Sequence, residues 1–270
     1  MSSLDAKLSE LRGRVRRAGS AAVAFSGGVD SSLVAKIARD ELGDRVVAVT
    51  VDSPLFPASE LSRAKDVARE IGIEHVVVRS SPMDDDAFVS NPPDRCYLCK
   101  RRGLAEVKRV ARSRRLRTVM DGSNWDDQKD FRPGSRAKRE LGVRSPLAEA
   151  GVTKARARAL SRRLGLSTSD RESTPCLATR IPYGERITED KLSMIEHAEE
   201  LLRTKGFRDV RVRSHMGVAR IEVHRGDVER LAAPRTRHAV VRKLKALGFD
   251  YVALDLEGYR SGSLNEVVDG

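Results

Sequence analysis

Aromatic residues are scarce in this 270-residue chain: they make up 4% of it and include a single tryptophan. Stacking platforms for single-stranded RNA are therefore few. That scarcity argues against a nucleic-acid partner, although the net charge is +12. The basic residues are also dispersed, over Arg12 to Arg17, Lys100 to Arg117, Lys154 to Arg163 and Arg203 to Arg220. Solvated helix faces or a small anionic substrate explain such a charge as well as RNA does. Cysteine is scarce too, and three residues, Cys96, Cys99 and Cys176, do not make a disulfide framework. No apolar run approaches the ~20 residues of a membrane span. The start Met1-Ser2-Ser3-Leu4-Asp5 has no signal-peptide core, so a cytoplasmic protein without a membrane partner is expected. Two nucleotide motifs are missing as well. No Lys-Ser/Thr follows the first glycines, as a Walker loop requires, and the dinucleotide fingerprint lacks its third glycine.

A different phosphate cradle is present. Ala21 to Phe25 are a short apolar run suited to a buried strand, and Ser26-Gly27-Gly28 permit a tight turn close to a ligand. Val29-Asp30-Ser31-Ser32 then lead into a helix whose apolar side carries Leu33, Val34, Ile37 and Ala38. A strand passing through glycines into a helix start leaves free N–H groups and a positive dipole end aimed at one spot. Serine hydroxyls at 26, 31 and 32 stand where a Walker loop has lysine, which suits a held pyrophosphate. Ser26-Gly-Gly-Val-Asp-Ser-Ser32 resembles the PP-loop of ATP pyrophosphatases, which cleave ATP between the α and β phosphates.

The first half alternates helix and strand: helix 4–17, strand 21–25, helix 31–42, strand 46–51, helix 58–71, strand 75–78, a basic helix 96–113 and strand 118–120. Such alternation predicts an α/β, Rossmann-like domain with a parallel sheet wrapped by helices. Ligands bind such sheets at the carboxyl ends of the strands, so the loops after Phe25, Val51 and Met120 should share one edge. Residues 126–150 are polar and read as a long irregular loop, followed by a short helix capped by Thr153. From residue 187 the order changes to helix 189–205, strands 210–213 and 219–223, helix 236–247 and strand 251–256, a small C-terminal α+β domain. The expected division is 1–170 for the ATP domain and 171–270 for a substrate-binding or oligomerisation domain.

Other constellations carry chemistry with alternatives attached. Asp52-Ser53 after the second strand is suited to reading ribose or adenine, or is ordinary turn chemistry. Asp121-Gly122-Ser123-Asn124 follows the fourth strand on the cradle's edge, and equally fits a plain turn. Cys96 and Cys99, spaced i and i+3 near a helix start, share a face and suit buried packing, a redox dithiol or part of a metal site. Three thiolates can hold an iron–sulfur cluster with one iron open to an exogenous ligand such as sulfide. Cys176 lies between Pro175 and Pro182, which disfavour regular helix. That predicts a presented loop, with Arg180 suited to a thiolate or a phosphate, although an inert cysteine also fits. Arg211 and Arg213 alternate on a strand and so face one side, as a phosphate site or a solvated face. Asp30 is the candidate to orient Mg2+, a hard cation that prefers carboxylate oxygen.

Taken together, these motifs resemble the LarE family of ATP-dependent sulfur transferases, which build the nickel-pincer nucleotide cofactor of lactate racemase. The resemblance rests on Ser26 to Ser32, Arg95-Cys-Tyr-x-Cys-Lys100, Asp121-Gly-Ser-Asn124 with Asp126-Asp127, Arg132-Pro-Gly134, Arg144-Ser-Pro-Leu147 and Pro175-Cys-Leu-Ala-Thr-Arg-Ile-Pro182. It implies ATP and Mg2+ as cofactors, and adenylation of the carboxylates of pyridinium-3,5-biscarboxylic acid mononucleotide. A sulfur nucleophile then displaces AMP. Arg211 and Arg213 match the family's phosphate-binding arginines, with Arg180 a third contact. In one branch the cysteine matching Cys176 sacrifices its own sulfur. The additional Cys96 and Cys99 match the branch thought to carry a 4Fe-4S cluster and to deliver sulfide from its open iron. Trimer-based homo-oligomers are also implied. The rival readings are a PP-loop tRNA thiolase, a non-enzymatic metal or sulfur carrier, and an amide-forming synthetase.

Overall fold

The computed structural model describes residues 3–128, 134–172 and 174–260. In chain order the helices and strands are α1 (Ser3–Arg16), β1 (Ala21–Ala24), α2 (Val29–Leu42), β2 (Val46–Asp52), α3 (Ala58–Ile71), β3 (Glu74–Arg79), α4 (Asp86–Val89), α5 (Arg95–Ser113) and β4 (Thr118–Met120). They continue with α6 (Gly134–Glu140), α7 (Pro146–Glu149), α8 (Lys154–Arg163), α9 (Glu189–Thr204), β5 (Arg211–His215), β6 (Val218–Glu222), α10 (Val228–Ala232), α11 (Pro234–Ala246) and β7 (Tyr251–Leu254). The described residues fall into two compact units: Met1–Pro82 with Asp94–Thr174, and Met83–Pro93 with Pro175–Gly270.

The first unit is α/β, with a four-stranded sheet in the order β3-β2-β1-β4 and every pairing parallel. Residues along β1 alternate between two cores, as a strand's period of two requires. Ala21 and Val23 join Leu11, Val15, Leu33, Ile37, Met120, Leu147 and Leu160 on one face. Ala22 joins Val47, Val49, Val107, Val110 and Val119 on the other. Both faces are thus covered, and the small residues of β1 admit helices on each side. The register pairs Ala24 with Val49 and Val23 with Met120, so the chain leaves β1, β2 and β4 on one edge.

Residues 126–150 depart from the expected irregular loop. They contain a 3₁₀ turn at Asp126–Gln128, α6 and α7, and residues near Arg144 dock beside the end of β4. There the Arg144 amide donates to the Val119 carbonyl and the Asp121 amide to the Arg144 carbonyl, each at 2.9 Å. The polar side chains are divided between solvent, as for Arg136, and the interior, as for Lys138, while Pro146, Leu147 and Ala148 of α7 are buried. Arg132 and Pro133 of the Arg132-Pro-Gly134 motif lie outside the described residues, as does Ser173.

In the second unit β5 and β6 form an antiparallel hairpin, and β7 adds parallel to β6. Ala198, Leu202, Val212, Ile221, Leu231 and Leu244 lie in the core that α9 to α11 build on this sheet. The segment 83–93 belongs here because of Asn91, which is fully buried with φ of +60°. Its Nδ2 donates to the carbonyls of Pro182 at 2.7 Å, Glu185 at 3.0 Å and Ile181 at 3.3 Å. The segment after Cys176 is less presented than its prolines suggested. It makes a 3₁₀ turn over Leu177–Arg180, in which Leu177, Ala178 and Arg180 are buried.

Asn91→Ala removes those donors and places a residue with a poor left-handed preference at positive φ. A loss of roughly 2–4 kcal/mol is expected, read as a lower denaturant midpoint for the second unit's unfolding.

Candidate functional site

The cradle is built where β1 meets α2. Thr50 donates to the Phe25 carbonyl and the Phe25 amide to the Val49 carbonyl, fixing the strand's exit. Gly27 then takes φ of +66°, where an added Cβ would lie 2.8 Å from the Ala64 Cα of α3. Gly28 is the N-cap of α2 and offers no side chain to its first turn. The serines bond locally: Ser26 Oγ lies 3.1 Å from Ser31 Oγ, which donates to the Gly28 carbonyl at 3.3 Å. Ser32 Oγ is buried with no hydrogen-bond partner among the described residues. The first turn of α2 therefore has open amides, hydroxyls and a positive dipole end converging on one place.

The loop after β4 closes one side. A Cβ on Gly122 would stand 2.6 Å from the Ser31 amide nitrogen and 2.8 Å from its Cα. Only glycine permits this approach of two backbones. Beside it Asp121, buried, accepts from Ser145 Oγ at 2.6 Å and Ser123 Oγ at 2.7 Å, with Lys100 and Lys138 each 3.6 Å away. Burial pushes its pKa up, but the two lysines and the two hydroxyls outweigh this, and it lies below the usual carboxylate range. Lys100 directly follows Cys99, so the helix start that carries Cys96 and Cys99 is tied electrostatically to this loop. Cys96 is exposed and Cys99 half-buried.

Asp30 differs from Asp121. Its Oδ2 lies 2.5 Å from Lys154 Nζ, while Oδ1 is buried without a hydrogen-bond partner among the described residues. Burial raises its pKa despite Lys154, and the nearby Asp127 adds to the rise. A carboxylate oxygen left open beside a phosphate cradle suits Mg2+, with the phosphates as further ligands. Asp52 and Ser53 lie on the same edge at the end of β2. Asp52 is 3.9 Å from Arg79, and Ser53 Oγ accepts from the Leu55 amide at 3.4 Å, a local turn bond. Lys154 and Arg171 escaped the sequence reading. The Thr153 cap ahead of Lys154 was legible, but its partner 124 residues away was not.

In the second unit, Cys176 is half-buried at the N-cap of the 3₁₀ turn. Arg180 is 1% exposed; it pairs through two nitrogens with Glu199 and donates to the carbonyls of Pro175 and Cys176, each at 3.1 Å. Arg213 is likewise committed, through two 2.8 Å bonds to Glu222 and one to the Thr179 carbonyl. A phosphate contact by either would compete with a buried ion pair, whose disruption is costly. Arg211 is different. It has no carboxylate partner among the described residues, donates to the Val210 carbonyl at 2.7 Å and lies over the Tyr259 ring. Burial first, and then the neighbouring charge of Arg180, lower its pKa. Among the described residues no three His, Cys, Asp or Glu side chains gather as a metal site, and no helix is long and apolar enough to cross a membrane. Cys96 and Cys99, an i, i+3 pair in the first turn of α5, suit two positions of a cluster's cysteine set.

Two outcomes follow from this geometry. Gly122→Ala forces backbone apart at the first turn of α2, so ATP-dependent pyrophosphate release should fall at least tenfold by a coupled phosphate assay (about 1.4 kcal/mol or more of lost transition-state stabilisation). Lys154→Ala removes the cation that holds Asp30's pKa down, so the acidic limb of the pH–rate profile should move to higher pH. The sign for stability follows likewise. The variant leaves an unpaired buried carboxylate above Asp30's raised pKa, so its destabilisation should be greatest at neutral pH and shrink as acid protonates Asp30.

A family model described as asparagine synthase matches residues 9–94, the stretch that contains the cradle. The chain is 42% identical over 265 residues to an uncharacterised protein of Synechocystis sp., covering 98% of this chain and 99% of the other. It is 37% identical over 269 residues to the pyridinium-3,5-bisthiocarboxylic acid mononucleotide synthase of Lactiplantibacillus plantarum, covering 99% and 97%. An uncharacterised protein of Methanocaldococcus jannaschii is 30% identical over 239 residues, covering 88% and 90%. Because the likeness to the synthase extends over both units, from the strand–glycine–helix cradle through the Cys176 segment to the last strand, the chain belongs to the LarE family of ATP-dependent, PP-loop sulfur transferases.

Proposed function

We propose that this enzyme activates the carboxylates of pyridinium-3,5-biscarboxylic acid mononucleotide with ATP and converts them to thiocarboxylates. The observation that carries the adenylation is the uncapped first turn of α2, closed by Gly122 and flanked by the half-open Asp30 carboxylate. A substrate carboxylate oxygen attacks the α-phosphorus, and the bond to the β-phosphate breaks to release pyrophosphate. A sulfur nucleophile then attacks the acyl carbon and AMP departs, a far better leaving group than a carboxylate oxygen. Two rounds give the dithio product.

The proposal gives these residues the following roles. Ser26, Gly27, Gly28, Val29, Ser31 and Ser32 cradle the phosphates, Asp30 would hold Mg2+, and Asp52 with Ser53 face ribose or base. Asp121 with Ser123 braces the wall that Gly122 completes. In the second unit Arg211 takes the substrate phosphate, which would supply the anion its guanidinium lacks. Arg180 and Arg213, the further phosphate contacts that the resemblance implies, are held by Glu199 and Glu222 and so brace the strand and turn beside it, and Arg180 holds the backbone of Cys176. The ATP domain, expected over 1–170, would be carried by the first unit and the substrate-binding or oligomerisation domain, expected over 171–270, by the second unit, which also takes in 83–93, assembled as a trimer-based homo-oligomer in the cytoplasm.

For the sulfur we propose a 4Fe-4S cluster held by Cys96, Cys99 and Cys176. When bound, it supplies sulfide on the iron that no cysteine occupies. The i, i+3 pair at the start of α5 supports this reading, since the helix dipole there favours thiolate ligands.

Anaerobic purification separates the sulfur sources. Brown protein whose iron and acid-labile sulfide are lost in Cys96→Ala, Cys99→Ala or Cys176→Ala is expected. Colourless protein whose Cys176 loses the elements of H2S on turnover, by mass spectrometry, would replace the cluster with that cysteine's own sulfur. ATP-dependent thiolation of tRNA in place of the mononucleotide would overturn the substrate assignment. Arg211→Ala should raise KM for the mononucleotide about 10- to 100-fold, the equivalent of a lost charge-assisted hydrogen bond. KM for ATP should change little.

A further inference from the structure

The cradle has a second side, away from the open amides, and that side is not empty. Each peptide of the turn that aims its N–H toward a bound anion must aim its carbonyl elsewhere, and a buried carbonyl needs a donor. For the peptide joining Gly27 to Gly28 the donor is Arg171, whose Nη1 lies 2.6 Å from the Gly27 carbonyl oxygen. The other nitrogen, Nη2, pairs with Glu60 of α3. Glu60 and Ala64 are four residues apart and so share a face of α3, and Ala64 is the residue against which Gly27 packs. Arg171 and Glu60 side chains are only 17% and 15% exposed, so this contact is shielded from water.

The arm that carries Arg171 is itself fastened. Arg158 of α8 donates to the carbonyls of Ser169 at 3.0 Å and Arg171 at 2.8 Å. Ser167 bonds through its amide and hydroxyl to Glu70 of α3, and Arg162 of α8 pairs with Asp170 at 2.8 Å. Two helices thus hold residues 167–171 in a fixed path that ends with one guanidinium behind the turn. Solvation alone does not explain so constrained a surface loop.

We propose that Arg171 is a positioning residue for ATP binding: by holding the Gly27 carbonyl from behind, it fixes and polarises the Gly27–Gly28 peptide whose N–H faces the phosphates. A cation on the carbonyl draws electron density along the peptide and makes the N–H at its other end a stronger donor. It also holds Gly27 in the left-handed conformation that leaves this N–H turned out. The Gly28 amide donates to Ser26 Oγ at 3.4 Å, a long bond that a better acceptor can replace. The inference rests on the proposed ATP cradle and adds to it a residue that never touches ATP.

Isothermal titration of the full chain with MgATP, without the mononucleotide, tests both levels separately. Absence of MgATP binding by the unaltered protein would sink the cradle reading itself. Given binding, Arg171→Ala should weaken it about tenfold or more, as for loss of one hydrogen bond to a charged group. KM for the mononucleotide should stay within about twofold, since Arg171 acts on the ATP side alone. Arg171→Lys should restore part of the ATP affinity, because an ammonium group keeps the charge. Equal MgATP affinity in Arg171→Ala and the unaltered protein overturns the proposal. So does a variant in which both KM values and the melting temperature move together, which marks a merely structural role. Should Arg171→Ala fail to fold, Arg171→Met, which keeps the apolar stem and removes the charged head from the Gly27 carbonyl, decides by the same titration: a selective loss of MgATP affinity supports the proposal, and unchanged affinity overturns it.

Discussion

The first turn of α2 begins at a residue with no side chain to cap it, and much of the first unit is arranged around that omission. Four amides at a helix start normally find a capping oxygen or water. Here Gly28 leaves them to a ligand, and the surrounding elements keep competing groups away. Gly27 packs into α3, Gly122 lies against Ser31, and Ser26 with Ser31 satisfy each other at the rim. Each is a close approach of backbones or small side chains, which explains why the local residues are glycine and serine.

Charge placement follows the same logic. Asp121 is ionised and enclosed by two lysines, so it serves as a fixed strut that orients the Gly122 loop. Asp30 has one cationic partner and one open oxygen, and its burial keeps it nearer protonation. Two aspartates within one site thus have different chemistry, because one is surrounded by cations and the other is not. In the second unit, Glu199 and Glu222 decide which arginines are free to act. They bind Arg180 and Arg213 in buried pairs and leave Arg211 unpaired among the described residues.

Much of the fold was legible because its signals are local. The apolar run at Ala21 to Phe25, the i, i+3, i+4 spacing of α2, and the threonine cap at 153 place elements within a few residues of where they lie. The stretch 126–150 was harder. Its helices of seven and four residues are too short for periodicity to register, and their shape depends on docking beside β4. The presented loop after Cys176 was misjudged for a related reason. Proline correctly excluded a regular helix, yet Asn91, which binds three carbonyls of that loop, lies about 90 residues earlier.

The sequence by itself determined the chemistry on offer: a serine- and glycine-lined anion cradle, three cysteines, and arginines alternating on a strand. These follow from residue type and short spacing, which any stretch of chain carries with it. Only the tertiary structure decided which of those groups remain available. Whether Arg211 or Arg213 is free, whether Asp30 or Asp121 keeps an open oxygen, and which guanidinium stands behind Gly27 all depend on partners far away in sequence. The reason is that a charge's availability is set by what it already binds, and buried partners are chosen by packing.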